Sequence, residues 1–317
     1  MNGDGSITGV GTEMRSYYGR PILKEPVWQP EIPWYFFTGG VGGASSFLSL
    51  AARLGGNERL SKTSLYVSAA ADSISPLLLI SDLGRPERFL NMLRVFKITS
   101  PMSVGSWILA LSGGSSATAG LLEALDRWRP VKYLAEAVSA LTGPPLATYT
   151  GTLIADTAIP VWHEARRELP FLFGASAVAS AGAASTLFLR PEEAGPARRM
   201  AIGGAVAANV LSLAMQTRLG MIGEVYHQEE SGRYSSIAKA CTTAGVALLR
   251  ARGGRSRFAS VVGSALVLGG EAALRWSVFK AGFQSARDPK YTVVPQRERI
   301  RARQPDLTAP GSGDGST

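Results

Sequence analysis

Four long stretches without a charged residue constrain this chain more than any other feature of its sequence. They cover residues 33–52, 101–122, 169–189 and 200–217, and each is 18 to 22 residues long. A helix needs about 20 apolar residues to cross a hydrocarbon core of about 30 Å. A soluble protein rarely buries even one such helix, so four of them predict an integral membrane protein.

The average composition hides this pattern, because the charged residues are clustered. Hydrophobic residues make up 45% of the 317 residues and charged residues 18%, which is ordinary for a globular protein. The net charge is +9, and the basic residues lie between the apolar runs. Examples are Arg53, Arg59, Lys62, Arg127, Arg129 and Lys132. This placement indicates contact with membrane lipid headgroups and argues against nucleic acid as a partner.

The apolar segments predict an all-α, polytopic membrane protein of about eight transmembrane helices in a four-helix-bundle-based arrangement. The predicted spans are 33–54, 63–83, 101–122, 141–162, 169–189, 198–219, 236–249 and 258–283. The seventh is short and contains Lys239, so seven spans plus an interfacial segment is the alternative. Lysine and arginine counts on the two sides nearly tie, so the positive-inside rule does not choose an orientation.

Polar segments flank the predicted membrane domain. Residues 1–32 are expected to form a polar arm, and 285–317 an extended or disordered polar tail. The transmembrane domain between them covers 33–284, with the bundle that holds the expected site at about 33–190.

Metal-binding residue types are scarce. The chain has one cysteine, Cys241, and two histidines, His163 and His227. One cysteine excludes a disulfide within the chain, and an iron–sulfur cluster takes four ligands. Both histidines fall just outside the predicted spans, a poor position for haem inside a helical bundle. We therefore expect no haem, iron–sulfur cluster or other metal in this chain, and any redox metal on another chain.

A set of ordered motifs runs from the first predicted span to the fifth. The loop after the second span reads DLGRPERF at 82–89, and SPMSVGSW follows at 100–107. The first span opens with IPWYFF at 32–37, the fourth contains YTG at 149–151, and PVWHE follows at 160–164. This set resembles the NrfD/PsrC family, the membrane subunits of polysulfide-reductase-like complexes. The resemblance covers residues about 28–190, and beyond them only hydropathy agrees.

The resemblance implies a function. Family members bind a quinone and exchange electrons with a ferredoxin-like iron–sulfur subunit, which usually serves a molybdopterin-type catalytic subunit. It thus implies a quinone-reactive membrane anchor of a respiratory redox complex, in a prokaryotic plasma membrane, with menaquinone as the expected quinone. Members carry no haem or cluster themselves, and the scarcity of cysteine here agrees with that.

A quinone site needs an apolar slot and hydrogen-bond donors for the quinone carbonyls. Tyr149 can donate such a bond, and Gly151 is expected to leave room beside it. The expected contacts, taken together with the family motifs, are Glu31, Trp34, Tyr35, Gly84, Arg85, Tyr149, Gly151 and His163. Alternatives stay open: the aromatic pair can be a membrane-interface belt, and Tyr149 can make a helix–helix hydrogen bond. Asp82 and Arg85 can be a loop salt bridge, or have a role at the quinone entrance or at the partner interface.

Acidic residues inside predicted spans are functional candidates, because an unpaired carboxylate in lipid is unfavourable. Asp72 lies near the middle of the second span and Asp156 within the fourth. With Tyr149 they are candidates for proton transfer to the quinone, and interhelical packing is the alternative. Glu271 and Arg275 are spaced i, i+4 in the last span, which predicts a structural pair.

Two other functions fit a helical membrane protein. A secondary transporter can also combine glycine-rich helices with intramembrane acids, but it usually shows an internal repeat, and the two halves show no convincing one. A purely structural anchor for an extrinsic oxidoreductase would need neither the acids nor the Tyr-Thr-Gly motif.

Overall fold

The computed structural model describes residues 22–83, 85 and 87–303, with the side chains of 88, 298, 299 and 301–303 left aside. Every regular element in this part of the chain is a helix, and eight helices have 20 to 31 residues. They are α1 (Glu31–Leu54), α2 (Glu58–Asp82), α4 (Pro101–Ala124), α5 (Arg129–Ala155), α7 (Leu169–Phe188), α8 (Gly195–Leu219), α9 (Glu229–Ala251) and α10 (Arg257–Arg287). At 1.5 Å per residue, each is about 30 to 46 Å long.

Shorter elements connect or follow the long helices. They are α3 (Arg88–Met92), α6 (Pro160–Glu164), a 3-10 helix (Gly220–His227) and α11 (Lys290–Arg303). We call the end of the bundle where α1 begins and α2 finishes the Glu31 end, and the opposite end the Arg53 end. At the Glu31 end, a hydrogen bond from Gln29 N to Asp82 Oδ1 (2.8 Å) joins the segment before α1 to the last residue of α2. All four short elements lie at that end, because each follows a helix that runs toward it.

The long helices form two groups of four. In the first, α1 packs on α2 and α5, and α4 packs on the same two helices. In the second, α7 packs on α8 and α10, and α9 packs on the same two. Contacts of α7 with α1 and α5 join the groups. This agrees with the expected all-helical, four-helix-bundle-based arrangement.

Four helices are long and apolar enough to cross a membrane on their own: Glu58–Asp82, Leu169–Phe188, Gly195–His227 and Arg257–Arg287. α1 and α4 are rich in glycine and serine, which contribute little hydropathy even where no charge is present. The uncharged part of α5 contains Pro144, Pro145 and several threonines, and α9 carries Lys239 and Arg250 within its apolar part. Eight spans therefore stay a prediction, while the eight long helices are observed among the described residues.

Two expectations about helix positions are wrong. The fourth span, expected at 141–162, is α5, which begins at Arg129 and ends at Ala155. Pro160 opens α6, and the preceding Ile159 is extended, because proline disfavours helical backbone in the residue before it. The described part of the tail also differs from an extended or disordered segment, since α11 is helical from Lys290 to Arg303 and Tyr291 within it is buried. Residues 304–317 of the tail and 1–21 of the N-terminal arm lie outside the described residues.

Small residues allow the backbones of α1 and α5 to come into direct contact. A Cβ atom on Gly43 would lie 2.3 Å from the carbonyl oxygen of Gly143, so α1 and α5 meet backbone to backbone. Ser46 Oγ reinforces the contact by donating to Ser139 O at 2.9 Å. Such small-residue contacts are a usual means of helix association in lipid, where apolar burial between helices gives no driving force.

Charged groups cluster at the Arg53 end. The fully buried carboxylate of Glu136 accepts from Arg53 Nε (2.7 Å) and Ser49 Oγ (2.7 Å). Glu123 pairs with Lys62 at 3.0 Å. These contacts hold α1, α2, α4 and α5 together where they leave the apolar region.

Candidate functional site

A cavity of about 270 Å³ lies at the Glu31 end of the first helix group. Its walls come from the segment before α1 and from α1, α2, α3, α4 and α5, and they are mostly apolar. The polar side chains among its lining are Tyr35, Asp82, Ser106 and Tyr149. The volume is close to the lower end of the roughly 300–1,000 Å³ found for small-molecule sites.

Tyr149 reaches the cavity because α4 has no side chain where the two helices cross. A Cβ atom on Gly105 would lie 1.7 Å from Tyr149 Cζ and 2.1 Å from its hydroxyl oxygen. The Tyr149 ring therefore lies directly over the Gly105 backbone. The SPMSVGSW motif contains Gly105, but nothing in the motif indicates that it faces Tyr149, 44 residues further along the chain.

Gly151 has a different role from the one expected. A Cβ atom there would lie 2.7 Å from Leu169 O and 3.0 Å from Pro170 Cα, so Gly151 allows α5 to pack on the first turn of α7. The room beside Tyr149 comes from Gly105 instead. The physical reason is that residues two apart on a helix point in directions about 200° apart.

The segment before α1 closes one side of the cavity. Trp28 lines the cavity, stacks on Trp162 of α6 (centroids 5.5 Å apart) and meets Phe36 edge-on. Trp162 is fully buried and donates from Nε1 to Val278 O at 2.7 Å. The cavity wall is thus anchored through α6 to α10, in the second helix group.

An ion pair holds the same segment against α10. Glu25 accepts from Arg287 Nε at 2.8 Å and Nη2 at 3.0 Å. The hydrogen bonds from Arg287 hold the pKa of the Glu25 carboxyl below its usual range. Both side chains are well exposed, so the pair contributes little free energy.

Most of the other expected contacts lie around the cavity rather than in it. Tyr35 lines it, whereas Trp34 packs edge-on against Trp276 of α10 at 6.2 Å. Glu31 is half-buried, and its Oε2 accepts no hydrogen bond within the described part of the chain. Arg85 is exposed.

Of the two remaining expected contacts, one lies away from the cavity and the other cannot be placed. His163 is exposed on α6 and lines a separate surface pocket with Tyr291 of α11. Gly84 lies outside the described residues. Asp82 lines the cavity and bonds to the Gln29 backbone, as noted above, which ties the rim of the cavity to the segment before α1.

Asp72 is buried inside the first helix group, closer to its centre than the cavity is. Its Oδ2 accepts from Ser116 (2.9 Å), Ser112 (3.3 Å) and Ser68 (3.4 Å). Its Oδ1 faces α1, where a Cβ atom on Gly42 would lie 1.9 Å away, and has no hydrogen-bond partner among the described residues. One carboxylate oxygen is therefore held by three hydroxyls while the other is free to take a proton.

A proline removes one backbone hydrogen bond of α2 beside Asp72. Pro76 lies four residues later inside α2 and has no N–H to donate to the Asp72 carbonyl. One turn nearer the Glu31 end, Ser75 Oγ and Thr38 Oγ1 are hydrogen-bonded at 2.8 Å across α1 and α2. Hydroxyl groups thus lie between Asp72 and the cavity.

Asp156 does not lie within a span, contrary to the expectation. It follows the last residue of α5 as the C-cap and is exposed at the Glu31 end. The chain leaves the helix there because the extended Ile159 and Pro160 follow three and four residues later. Asp156 therefore has access to water and needs no partner.

The residues suited to metal binding do not come together. Within the described ranges, no group of three His, Cys, Asp or Glu side chains is placed to hold a metal ion. The site's chemistry is that of an apolar slot with two phenols, a serine and a carboxylate.

Comparison with known families agrees with the motifs. The family model for NrfD, polysulphide reductase, matches residues 23–195, which is more than half of the chain and includes every helix around the cavity. No curated protein matches the chain significantly. Members of this family are membrane subunits of quinone-linked reductase complexes. The chain therefore belongs to the NrfD family of membrane proteins.

Proposed function

We propose that this chain is the quinone-reactive subunit of a membrane redox complex, exchanging electrons between the quinone pool and a partner iron–sulfur subunit. The observation that carries the proposal is the cavity in which Tyr35 and Tyr149 meet apolar walls at one end of the bundle. A quinone ring needs such a slot, with hydrogen-bond donors for its carbonyl oxygens. Family membership supports the same role, and menaquinone is the proposed quinone.

The residues suit the proton chemistry of quinone reduction, which takes up two electrons and two protons. Either phenol can donate a hydrogen bond to a quinone carbonyl, and Asp82 at the rim can accept one from a quinol hydroxyl. Asp72 is proposed to supply or accept protons from the interior side of the cavity, because its Oδ1 is buried without a partner in the described structure. Asp156 is exposed at the same end and is not needed for this transfer.

The electrons are proposed to come from, or pass to, a ferredoxin-like iron–sulfur subunit that docks at the Glu31 end and serves a molybdopterin-type catalytic subunit. The cavity lies at that end, so a cluster bound there would be nearest to the quinone. The exposed side chains at that end include Arg85, His163, Arg287, Lys290 and Arg297. Basic side chains suit an acidic partner surface.

Photo-crosslinking with a quinone analogue tests the location. We expect labelled peptides from the residues that line the cavity, on α1, α2, α4 and α5. Labels confined to residues after Arg198 would contradict the proposal. Turnover in membranes that hold the whole complex tests the chemistry: Tyr149→Phe should slow quinone reduction. Tyr133→Phe is the control, since Tyr133 is 45% exposed and lies near the Arg53 end.

A structural anchor is the alternative that this experiment separates. If the complex assembles, carries no quinone label and keeps full turnover with Tyr149→Phe, the chain only holds the extrinsic subunits at the membrane. Transport of a solute by liposomes that contain the chain alone would favour the transporter hypothesis.

A further inference from the structure

The second helix group contains a buried acid and a buried base that do not pair with each other. Glu271 and Arg275 lie one turn apart on α10, and each is 1% exposed. The structural pair expected from their spacing is not formed, since no ion pair within 4.0 Å joins them in the described structure. The Arg275 guanidinium instead lies over the Phe173 ring at 3.7 Å and donates from Nη2 to Phe173 O at 2.9 Å.

The Glu271 carboxylate has no hydrogen-bond partner on either oxygen among the residues described. The Ser176 hydroxyl on α7 lies near enough to interact with the carboxylate, but the two do not meet the distance and angle of a formed hydrogen bond. A buried ionised carboxylate is strongly unfavourable unless its charge is compensated. The Arg275 charge one turn away compensates part of this cost, and protonation or a bound water can compensate the rest.

A small cavity adjoins Glu271 between α8, α9 and α10. Its volume is about 10 Å³, close to the minimum that holds one water molecule. Its polar lining includes Asn209, Ser212, Lys239 and Thr242 besides Glu271. A water needs two to four polar partners, and this cavity supplies them.

Hydrogen bonds through Gln216 join two residues of the cavity wall, Lys239 and Ser212. Lys239 Nζ donates to Gln216 Oε1 at 3.1 Å, and Gln216 Nε2 donates to Ser212 Oγ at 3.0 Å. Gln216 lies in the last turn of α8, at the Glu31 end, whereas Lys239 lies near the middle of α9. Lys239 is only half-buried, so its ammonium group connects the buried carboxylate with a more accessible position.

We propose that Glu271 is a proton-binding site that takes up and releases a proton through one water molecule in this cavity and the half-buried Lys239. The step is an acid–base transfer: the Lys239 ammonium gives a proton to the cavity water as that water gives one to a Glu271 oxygen, and the resulting Lys239 amine regains a proton from solvent. The Gln216 amide accepts a hydrogen bond from Lys239 and holds it in place. No electrons move and no other reactant is needed. The site lies outside the residues that match the family model and does not depend on the quinone cavity.

The charged groups around Glu271 are few. α10 itself presents Arg275, and α9 presents Lys239. α7 has no charged residue along its length, and the charged residues of α1 and α8 lie within five residues of the helix ends. Both neighbouring charges are basic.

Infrared spectroscopy of the full chain in lipid nanodiscs tests the proposal. Labelling with [13C]glutamate marks glutamate carboxyl bands and leaves those of Asp72 and other aspartates unshifted. We expect a labelled carboxylic-acid band that titrates with pH and is absent in Glu271→Gln. The control is Glu224→Gln, whose carboxylate is half-exposed and pairs with Lys290 at 2.9 Å. A band that persists unchanged in Glu271→Gln, or no such band at any pH, overturns the proposal.

The route has a separate test that does not alter Glu271. Lys239→Met removes the ammonium group and keeps much of the apolar stem. We expect the Glu271 band to remain and its exchange into heavy water to slow several-fold. Arg233→Met is the control, because Arg233 is exposed on the same helix. Unchanged exchange in Lys239→Met overturns the route, even if Glu271→Gln does not fold.

Discussion

Replacing Gly105 with alanine should displace Tyr149, since the three atoms nearest to the new Cβ all belong to its side chain. The new Cβ would lie 1.7 Å from Tyr149 Cζ, whereas carbon atoms in contact are about 3.5–4.0 Å apart, so the ring must move by roughly 2 Å. Tyr149 is 9% exposed, and overpacking of a buried site typically costs about 1–3 kcal/mol. If quinone binds against the ring where it now lies, kcat/KM for quinone should fall roughly 5- to 150-fold.

The control is Gly114→Ala, on the same helix. A Cβ atom there would have no neighbour within 4 Å, and the substitution brings the same gain in helix propensity. The assay is quinone reduction in membranes that hold the whole complex, normalised to the amount of chain. Gly105→Ala combined with Tyr149→Leu should assemble better than Gly105→Ala alone, because the clash is removed. Equal kcat/KM for Gly105→Ala and Gly114→Ala would refute the assignment of this cavity to quinone.

Three further outcomes follow from the structure. Asp72→Asn should slow quinone-linked turnover although the chain is present at its normal amount, and Asp156→Asn should not, because only Asp72 is buried. Wild-type turnover in both variants would mean that Asp72 serves helix packing alone. Glu136→Ala should lower the free energy of unfolding by roughly 3 kcal/mol in a denaturant titration, because it leaves the partly buried Arg53 unpaired. The control Asp126→Ala, at an exposed ion pair, should change it by less than about 1 kcal/mol, and equal losses of unfolding free energy in the two variants would contradict the prediction. The pKa of Glu25 is lowered by its arginine partner, so this contact is present above the usual glutamate pKa and is lost as the pH falls through the lowered value. Proteolysis of the segment before α1 should therefore be faster at acid pH, and Glu25→Gln should show the faster cleavage already at neutral pH. A pH-independent rate in the wild-type chain would contradict this prediction.

The membrane-protein class and much of the helix layout could be predicted from the sequence. Runs without charge must be shielded from water, and lipid permits only structures that satisfy their own backbone hydrogen bonds, so four such runs predict helices in a membrane. The predicted helix boundaries were wrong where a proline restricts the backbone of the residue before it. The extended Ile159 before Pro160 ends the fourth long helix region early and leaves Asp156 at the surface, although hydropathy alone continues to residue 162.

What the sequence alone determined is therefore the helical membrane class, the family motifs and the buried position of Asp72 within α2. The tertiary structure decided which residues meet. Gly105 faces Tyr149, Gly151 faces α7, and Glu271 and Arg275 turn to different neighbours although they lie one turn apart. The physical reason is that helix periodicity specifies the face of each residue on its own helix, whereas the contacts across helices depend on how closely the backbones approach. In this bundle that approach is set by glycines whose partners lie tens of residues away.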